Sequence, residues 1–452
     1  MKLLQSILEK ILKSDLPKEE RTRLVKGLIH SFIIQGISIV MVFTGNYLLV
    51  KFFGAEIYGV YVHVFNWISV LTVLAMGGQE DIVLSRMPKY MAQNNRLQIG
   101  AIIRHSNTRV AINSILISGL FLLLIQLFPV PTLSKYRPQF MVAAGTIYLS
   151  VFLTFNQYVL QALNHIRLSQ VTERLLKPFV FTLFIAGAGW LSIAVDASRL
   201  IGIALINLVI CALVLLWLVI KKTKPYFSKG TERYKGEGVS KQAFYFLSIS
   251  LLQLLATRIG MLIMPYFIEE KNIGIFNIAA RFSDIIIYPF YLLHSMLPQL
   301  FAKHHSAELS YKQKLYSEST WIIMITSLPL LATNIVVGPW LLGHLFGSEF
   351  TAGYPALVLM SASNALFGIF GPANTILMMQ GKEKQSAFAL VVNVILLTVL
   401  SRLLIPTQGV TGVAWAMLIS NILYNILLAI FARYHTGVMS PFFIPFAKRY
   451  RV

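Results

Sequence analysis

Twelve stretches of about twenty residues, apolar on nearly every side, follow one another along the chain. They lie near 27–50, 57–77, 110–129, 140–162, 178–195, 200–220, 243–267, 274–298, 320–346, 354–379, 386–405 and 410–432. A helix of about 20 residues crosses the hydrocarbon core of a bilayer and satisfies its own backbone hydrogen bonds there, which an isolated strand cannot do. No run keeps up the two-residue alternation of a membrane strand. The pattern predicts an all-α polytopic membrane protein of about 12 transmembrane helices.

The polar segments between the runs divide the chain further. Residues 1–24 place Leu3, Leu4, Ile7, Leu8, Ile11 and Leu12 at helical spacing among Glu9, Lys10 and Lys13. This predicts an amphipathic helix in the cytoplasmic interface, with a partner-binding helix as the alternative. The longest polar segment, 221–241, carries Lys221, Lys222, Lys224, Lys229, Arg233, Lys235 and Lys241 and falls between the sixth and seventh spans. It separates two lobes, 25–220 and 242–432, and a basic tail, 433–452, ends the chain. Two short correspondences point to duplication. Gly59-Val60-Tyr61 matches Gly274-Ile275-Phe276 at an offset of 215, and Gly202-Ile203-Ala204 matches Gly412-Val413-Ala414 at 210. Transporters built from two repeats are common.

Composition agrees with the pattern: 56% of the 452 residues are hydrophobic and 13% charged, about half the charged share of a soluble protein. The net charge of +21 invites comparison with nucleic-acid binders, but the basic residues are not gathered on one wetted face. With the N-terminus inside, 31 of the 39 lie in cytoplasmic segments, two within spans, and six outside: Lys51, Lys135, Arg137, Arg199, Lys271 and Arg402. The excess is therefore a topology signal that places both termini in the cytoplasm, with membrane lipids rather than nucleic acid as its partner. A single cysteine, Cys211, excludes an intrachain disulfide and a Cys-ligated zinc site. No Walker A sequence is present.

An ionisable side chain at mid-bilayer costs roughly 2.5–3.5 kcal/mol on insertion scales and so marks a partner or a watery cavity. Three such residues stand well inside spans: Arg258, Arg281 and Asp284. Counting from the outer ends puts both arginines at similar depth on adjacent antiparallel helices. Asn277, Arg281, Asp284, Tyr288 and Tyr291 recur at intervals of four and three, which sets them along one face of the eighth span. The seventh adds Ser250, Gln253 and Thr257. The first two spans offer Gln35, Ser38, Asn46, His63, Asn66 and Ser69, and the fourth Gln157, Gln161 and Asn164. The candidate cavity residues are Arg258, Arg281, Asp284, Asn277, Gln253, Asn46, Asn66 and Tyr288; no catalytic or metal-ligating set is among them. Guanidinium groups bind phosphate oxygens in pairs and stay charged in low dielectric. The alternative is local: Arg281 and Asp284, three apart, neutralise each other, and Arg258 holds carbonyls near a kink at Gly260 and Pro265. His30, His63 and His294 read as hydrogen-bonded interior or interfacial residues, and Glu80 and Asp81 as anchors of the inner end of the second span. Prolines 178, 265, 289, 298, 329, 339 and 372 mark kinks in or at the ends of spans.

Three stretches carry a family likeness. They are Phe53-Gly54-Ala55-Glu56-Ile57-Tyr58-Gly59-Val60-Tyr61; Ile273-Gly274-Ile275-Phe276-Asn277-Ile278-Ala279-Ala280-Arg281 running to Leu297-Pro298; and Phe346-Gly347-Ser348-Glu349-Phe350 with Gly381-Lys382, Asn393, Ile405-Pro406 and Gly409-Val410-Thr411-Gly412-Val413-Ala414-Trp415-Ala416. In these the chain resembles the multidrug, oligosaccharidyl-lipid and polysaccharide exporter superfamily, in particular its Wzx-type polysaccharide flippases. The resemblance implies a V-shaped transporter of two six-helix lobes in the bacterial inner membrane. It further implies alternating access that carries undecaprenyl-pyrophosphate-linked oligosaccharide to the outer leaflet for O-antigen, capsule or exopolysaccharide synthesis. No cofactor is implied; a polysaccharide polymerase and a chain-length regulator are the implied protein partners. Related lipid II flippases place arginines on their first helices for the pyrophosphate. Here those helices have none, and Arg281 is the one loose match.

An anion moving outward against a negative interior gains about 2.3 kcal/mol per charge per 100 mV, which favours anionic cargo independently of the likeness. Two other readings stay open. A multidrug exporter would use buried carboxylates, of which there is one against two arginines. A membrane polymerase or glycosyltransferase would need catalytic groups on a sizeable external loop, and the external loops span about a dozen residues or fewer.

Overall fold

The computed structural model describes residues 18–127, 134–227, 234, 238–294 and 309–443, and among them it contains helices and no strand. Ten helices are long and apolar enough to cross a membrane. The first of these, Lys18–Met76, is two helices joined at Gly54, whose φ of 84° turns the chain: α1 covers 18–53 and α2 55–76. A left-handed backbone is open to glycine at little cost. An eleventh apolar helix, α6 (166–190), runs through a π turn at Thr172–Leu176. The predicted twelve runs are thus matched by α1, α2, α4 (Arg96–Leu127), α5 (Arg137–Ala162), α6, α7 (Ala197–Thr223), α8 (Val239–Ile263), α9 (270–294), α10 (309–346), α11 (354–379), α12 (Glu383–Gln408) and α13 (Val410–Thr436). The part of the 1–24 amphipathic segment before residue 18, residues 228–233 and 235–237 of the linker and the last nine residues lie outside the described residues.

One helix was not expected. Between α2 and α4, α3 (Gln79–Ala92) follows a corner made by Gly77 and Gly78, with φ of 61° and 72°. Glu80 and Asp81 occupy its first turn, where the helix dipole favours acidic side chains. Several predicted kinks have visible causes. Pro265 sits in the 3₁₀ turn that ends α8, Pro289 follows the 3₁₀ turn Ile285–Ile287 inside α9, and Pro372 follows a break at Gly371, φ 74°. Pro329 and Pro339 lie within α10, which ends in a π turn, Leu342–Phe346.

Packing repeats after six spans. α5 packs on α4 and α7, as α11 packs on α10 and α13. α6 lies along α1 at Gly45 and Thr182, and α12 lies along α8. The two sets meet where α2 crosses α9. A Cβ on Gly59 would stand 1.8 Å from the Glu270 carbonyl oxygen, and one on Gly274 would stand 2.5 Å from that of Ala55. Because 270 precedes 274 by the same four residues as 55 precedes 59, the contact is reciprocal, with each glycine seated on the first turn of the other helix. This gives the 215-residue correspondence a physical reason at Gly59. The second correspondence has no such counterpart, since Gly412 abuts the Leu404 carbonyl while Gly202 faces open space.

Around the crossing lies a dry apolar layer that includes Leu49, Tyr58, Met264, Ile273, Phe276 and Phe350. Phe43 against Phe282 (ring centroids 4.8 Å apart) and Tyr47 against Phe346 (6.2 Å) join α1 to α9 and α10. With the sides taken from the basic-residue asymmetry, this layer closes the outer end of the space between the two sets of helices.

Candidate functional site

The inner boundary of the dry layer is polar. Tyr58 on α2 donates to Asn277 Oδ1 on α9 at 2.7 Å, and the amides of Asn66 (3.4 Å) and Asn277 (3.6 Å) both reach the Met261 sulfur on α8. Asn66 and Asn277 are 4% and 3% exposed. Two residues expected to line a cavity are thus part of the seal above it. The signal that separates them from their neighbours is a partner about 200 residues away, which no local spacing encodes.

Arg281 follows Asn277 by one helical turn and Arg258 precedes Met261 by three residues, so both guanidinium groups stand immediately inward of this seal. Both side chains are partly buried, the Nε atom of each is enclosed with no hydrogen-bond partner, and among the described residues no carboxylate lies within 4 Å of either. Arg258 is nevertheless within electrostatic reach of Arg281, Asp284, Tyr291 and Tyr58, Arg281 most strongly, and the Arg281 side chain hydrogen-bonds the Tyr58 hydroxyl. The local alternative read from the sequence is therefore not what is seen: Arg281 and Asp284 do not come within 4 Å as an ion pair, and among the described residues Arg258 holds no carbonyl. Two like charges are kept together beside one free carboxylate. Such an arrangement carries a cost in low dielectric that a bound anion would offset.

Farther inward, further contacts join the two sets of helices. Tyr288 on α9 bonds the Gln35 amide on α1, which also accepts from Arg174 on α6. On the opposite side Asp81 bonds Ser250 on α8, and Arg86 donates to Gln242 at 2.9 Å and to Tyr234 of the linker at 3.1 Å. Gln35 and Ser250 are themselves 215 residues apart, although their partners Tyr288 and Asp81 are not so related. Gly78 makes the second of these contacts tight, because a Cβ there would lie 2.2 Å from the Ala243 carbonyl oxygen. Of the remaining expected residues, Asn46 is partly buried with its amide nitrogen unpartnered, and Gln253 is exposed on α8. The sequence reading missed Tyr58 and Arg174. Tyr58 sits in a turn motif that reports a helix end, and Arg174 falls in a basic segment between spans.

Two outer features complete the geometry. Glu270, at the start of α9, takes Lys135 Nζ at 2.5 Å and the Tyr136 hydroxyl, both from the other set of helices. His63 lies behind Tyr136, its ring centroid 5.1 Å away, fully buried and with neither nitrogen hydrogen-bonded, contrary to the sequence expectation.

At the inner corner Glu80 is 5% exposed with one oxygen unpartnered, and burial pushes its carboxyl up to about 7. A carboxyl raised in the folded state favours folding fully below its unfolded value near 4.5, and that contribution is lost as the pH rises through about 7. Glu80→Gln is therefore expected to raise stability at pH 8 by up to about 3 kcal/mol. At pH 5 the gap should fall below about 1 kcal/mol. Thermal unfolding of the purified protein followed by tryptophan fluorescence at both pH values checks this, and an equal shift at both would contradict it.

No family model matches the chain, and no curated protein matches it. Solved structures do resemble it. An inward-facing multidrug resistance MATE family transporter of the MOP superfamily superposes with a TM-score of 0.69 at 14% identity, covering 93% of this chain and all of that one. The lipid II flippase MurJ in an inward closed conformation gives 0.71 at 13% identity over 89% of this chain and 87% of its own. The MATE multidrug transporter DinF-BH gives 0.63 at 16% identity, over 95% and 99%. At such identities the likeness is one of fold: the chain is a multi-pass membrane protein with the fold of these transporters.

Proposed function

We propose that this protein is a flippase that moves undecaprenyl-pyrophosphate-linked oligosaccharide from the inner to the outer leaflet of a bacterial inner membrane by alternating access. The observation that carries the reading is the pair Arg258 and Arg281, held between the two sets of helices with no carboxylate within 4 Å among the described residues. A pyrophosphate supplies oxygens for two guanidinium forks, and its charge lowers the repulsion between them. Asp284, Tyr288 and the exposed amide of Gln253 are available to sugar hydroxyls, while the polyprenyl tail stays in lipid. In this reading residues 25–220 and 242–432 are the two lobes, the termini are cytoplasmic, and a polymerase and chain-length regulator receive the product outside.

Multidrug export is the second reading, and it rests on Asp284, an interior carboxylate without an ion pair that would suit a cationic compound. Reconstituted vesicles separate the two. Flipping of a pyrophosphate-linked oligosaccharide, read by its accessibility to an external glycosidase, is expected with wild type and with Asp284→Asn. Failure of wild type to flip it, together with drug efflux lost in Asp284→Asn, would replace the flippase reading with the exporter.

A further inference from the structure

The outer face carries a groove of about 780 Å³ between the α1–α2 turn and the α6–α7 turn. Its walls are Phe52, Phe53, Ile57, Ile193 and Val195, and its two cations are Lys51 and Arg199. Basic residues are scarce on this side, and two of the others are ion-paired: Lys135 with Glu270 at 2.5 Å and Lys271 with Glu349 at 2.7 Å. Lys51 and Arg199 are exposed and have no carboxylate within 4 Å among the described residues. Lys51 rests over Tyr47, 5.4 Å from its centroid, and Arg199 spends one N–H on the Ala194 carbonyl at 2.6 Å, which leaves most of its fork free. Asp196, also in the groove, caps α7 by accepting from the Arg199 backbone at 2.8 Å.

The surroundings identify the medium. Trp190 and Leu191, on the α6–α7 turn, are 89% and 73% exposed, as expected of side chains in the interfacial zone of a leaflet. Gly189 lets the Phe52 ring lie flat on α6, where a Cβ would come within 2.1 Å of it, so the aromatic wall is built in. Apolar walls with two unpaired cations, set at lipid head-group level, fit an amphiphile with an anionic head.

We infer that this groove binds the phosphate head group of an anionic lipid in the outer leaflet. The site is separate from Arg258 and Arg281 and does not depend on the flippase reading. Phe53 and Ile57 flank Ala55, whose carbonyl supports Gly274, so an occupied groove bears on the turn that carries the outer crossing.

Native mass spectrometry of the full chain in detergent tests it, with phosphatidylglycerol and phosphatidylcholine offered in equal amounts. Wild type is expected to retain phosphatidylglycerol selectively, and Lys51→Gln/Arg199→Gln to lose that preference by about tenfold, the scale of a charge-assisted contact. Arg402→Gln, which removes an outer cation elsewhere, is expected to keep it. Unchanged retention in the double variant overturns the site. So does displacement of the lipid by millimolar sodium pyrophosphate, because the groove would then be reading a free phosphate. Equal unfolding temperatures of the variants exclude loss through misfolding.

Discussion

Replacing Arg258 and Arg281 together by alanine is expected to reduce export of lipid-linked oligosaccharide to background while the protein still inserts and folds. A hydrogen bond to a charged group contributes about 1.5–3 kcal/mol, so each guanidinium accounts for at least about tenfold and the pair for at least about a hundredfold. The folded state should tolerate the change. Neither arginine has a carboxylate within 4 Å among the described residues, but both support Asp284 electrostatically, so Asp284→Ala is added to the double variant as the control for folding. Arg281→Lys is the sharper variant. It keeps the charge and removes the fork, so pyrophosphate recognition through paired N–H groups predicts a loss close to that of alanine. Surface polysaccharide in cells lacking their own flippase, with detergent-purified protein as the folding control, measures both. Normal export by the double variant would remove the ground for an anionic cargo.

Gly59→Val is expected to open the outer end. The added side chain has no room, since even its Cβ would fall 1.8 Å from a backbone oxygen of α9 and that oxygen belongs to the first turn of a long helix. The helices must separate by roughly the 1.5–2 Å that restores van der Waals contact. Tyr58 and Asn277 then part, and water reaches the layer that now excludes it. Because Cys211 is the sole cysteine, a Cys211→Ser background with Asn277→Cys reports on this directly. An impermeant thiol reagent added outside should label that position at least about tenfold faster when Gly59→Val is present. Gly274→Val should do the same, as the reciprocal partner. Gly202→Val, at a glycine facing open space, should not. Equal labelling in all three would mean that the crossing does not close this end.

The spans were legible because a run of about 20 apolar residues has few other uses. Their interruptions were not. The π turns at Thr172–Leu176 and Leu342–Phe346 leave no mark in hydropathy, and α3 was hidden because its 14 residues are too polar to read as a span. The site was half legible. Arg258, Arg281 and Asp284 stand out since charges in apolar runs are rare, and equal depth follows from counting residues. Whether Arg281 paired with Asp284 could not be read from a three-residue spacing, since the helix permits the pair without requiring it. Asn66 and Asn277 carry the same polar signature as a cavity residue, and only the fold shows that Tyr58 and Met261 satisfy them. His63 went the other way: a histidine among valines and aromatics reads as hydrogen-bonded interior, yet neither nitrogen finds a partner.

The reciprocal seat of Gly59 and Gly274 is main chain against main chain, with the Tyr58 ring beside it. Its grip is dispersion, which neither salt nor acidity weakens. Salt and acidity therefore act on the groups around the seat, such as the Lys135–Glu270 pair at the head of α9, and not on the seat itself. With each glycine seated on the first turn of the other helix, neither α2 nor α9 can shift along the seam without carrying its partner's end with it.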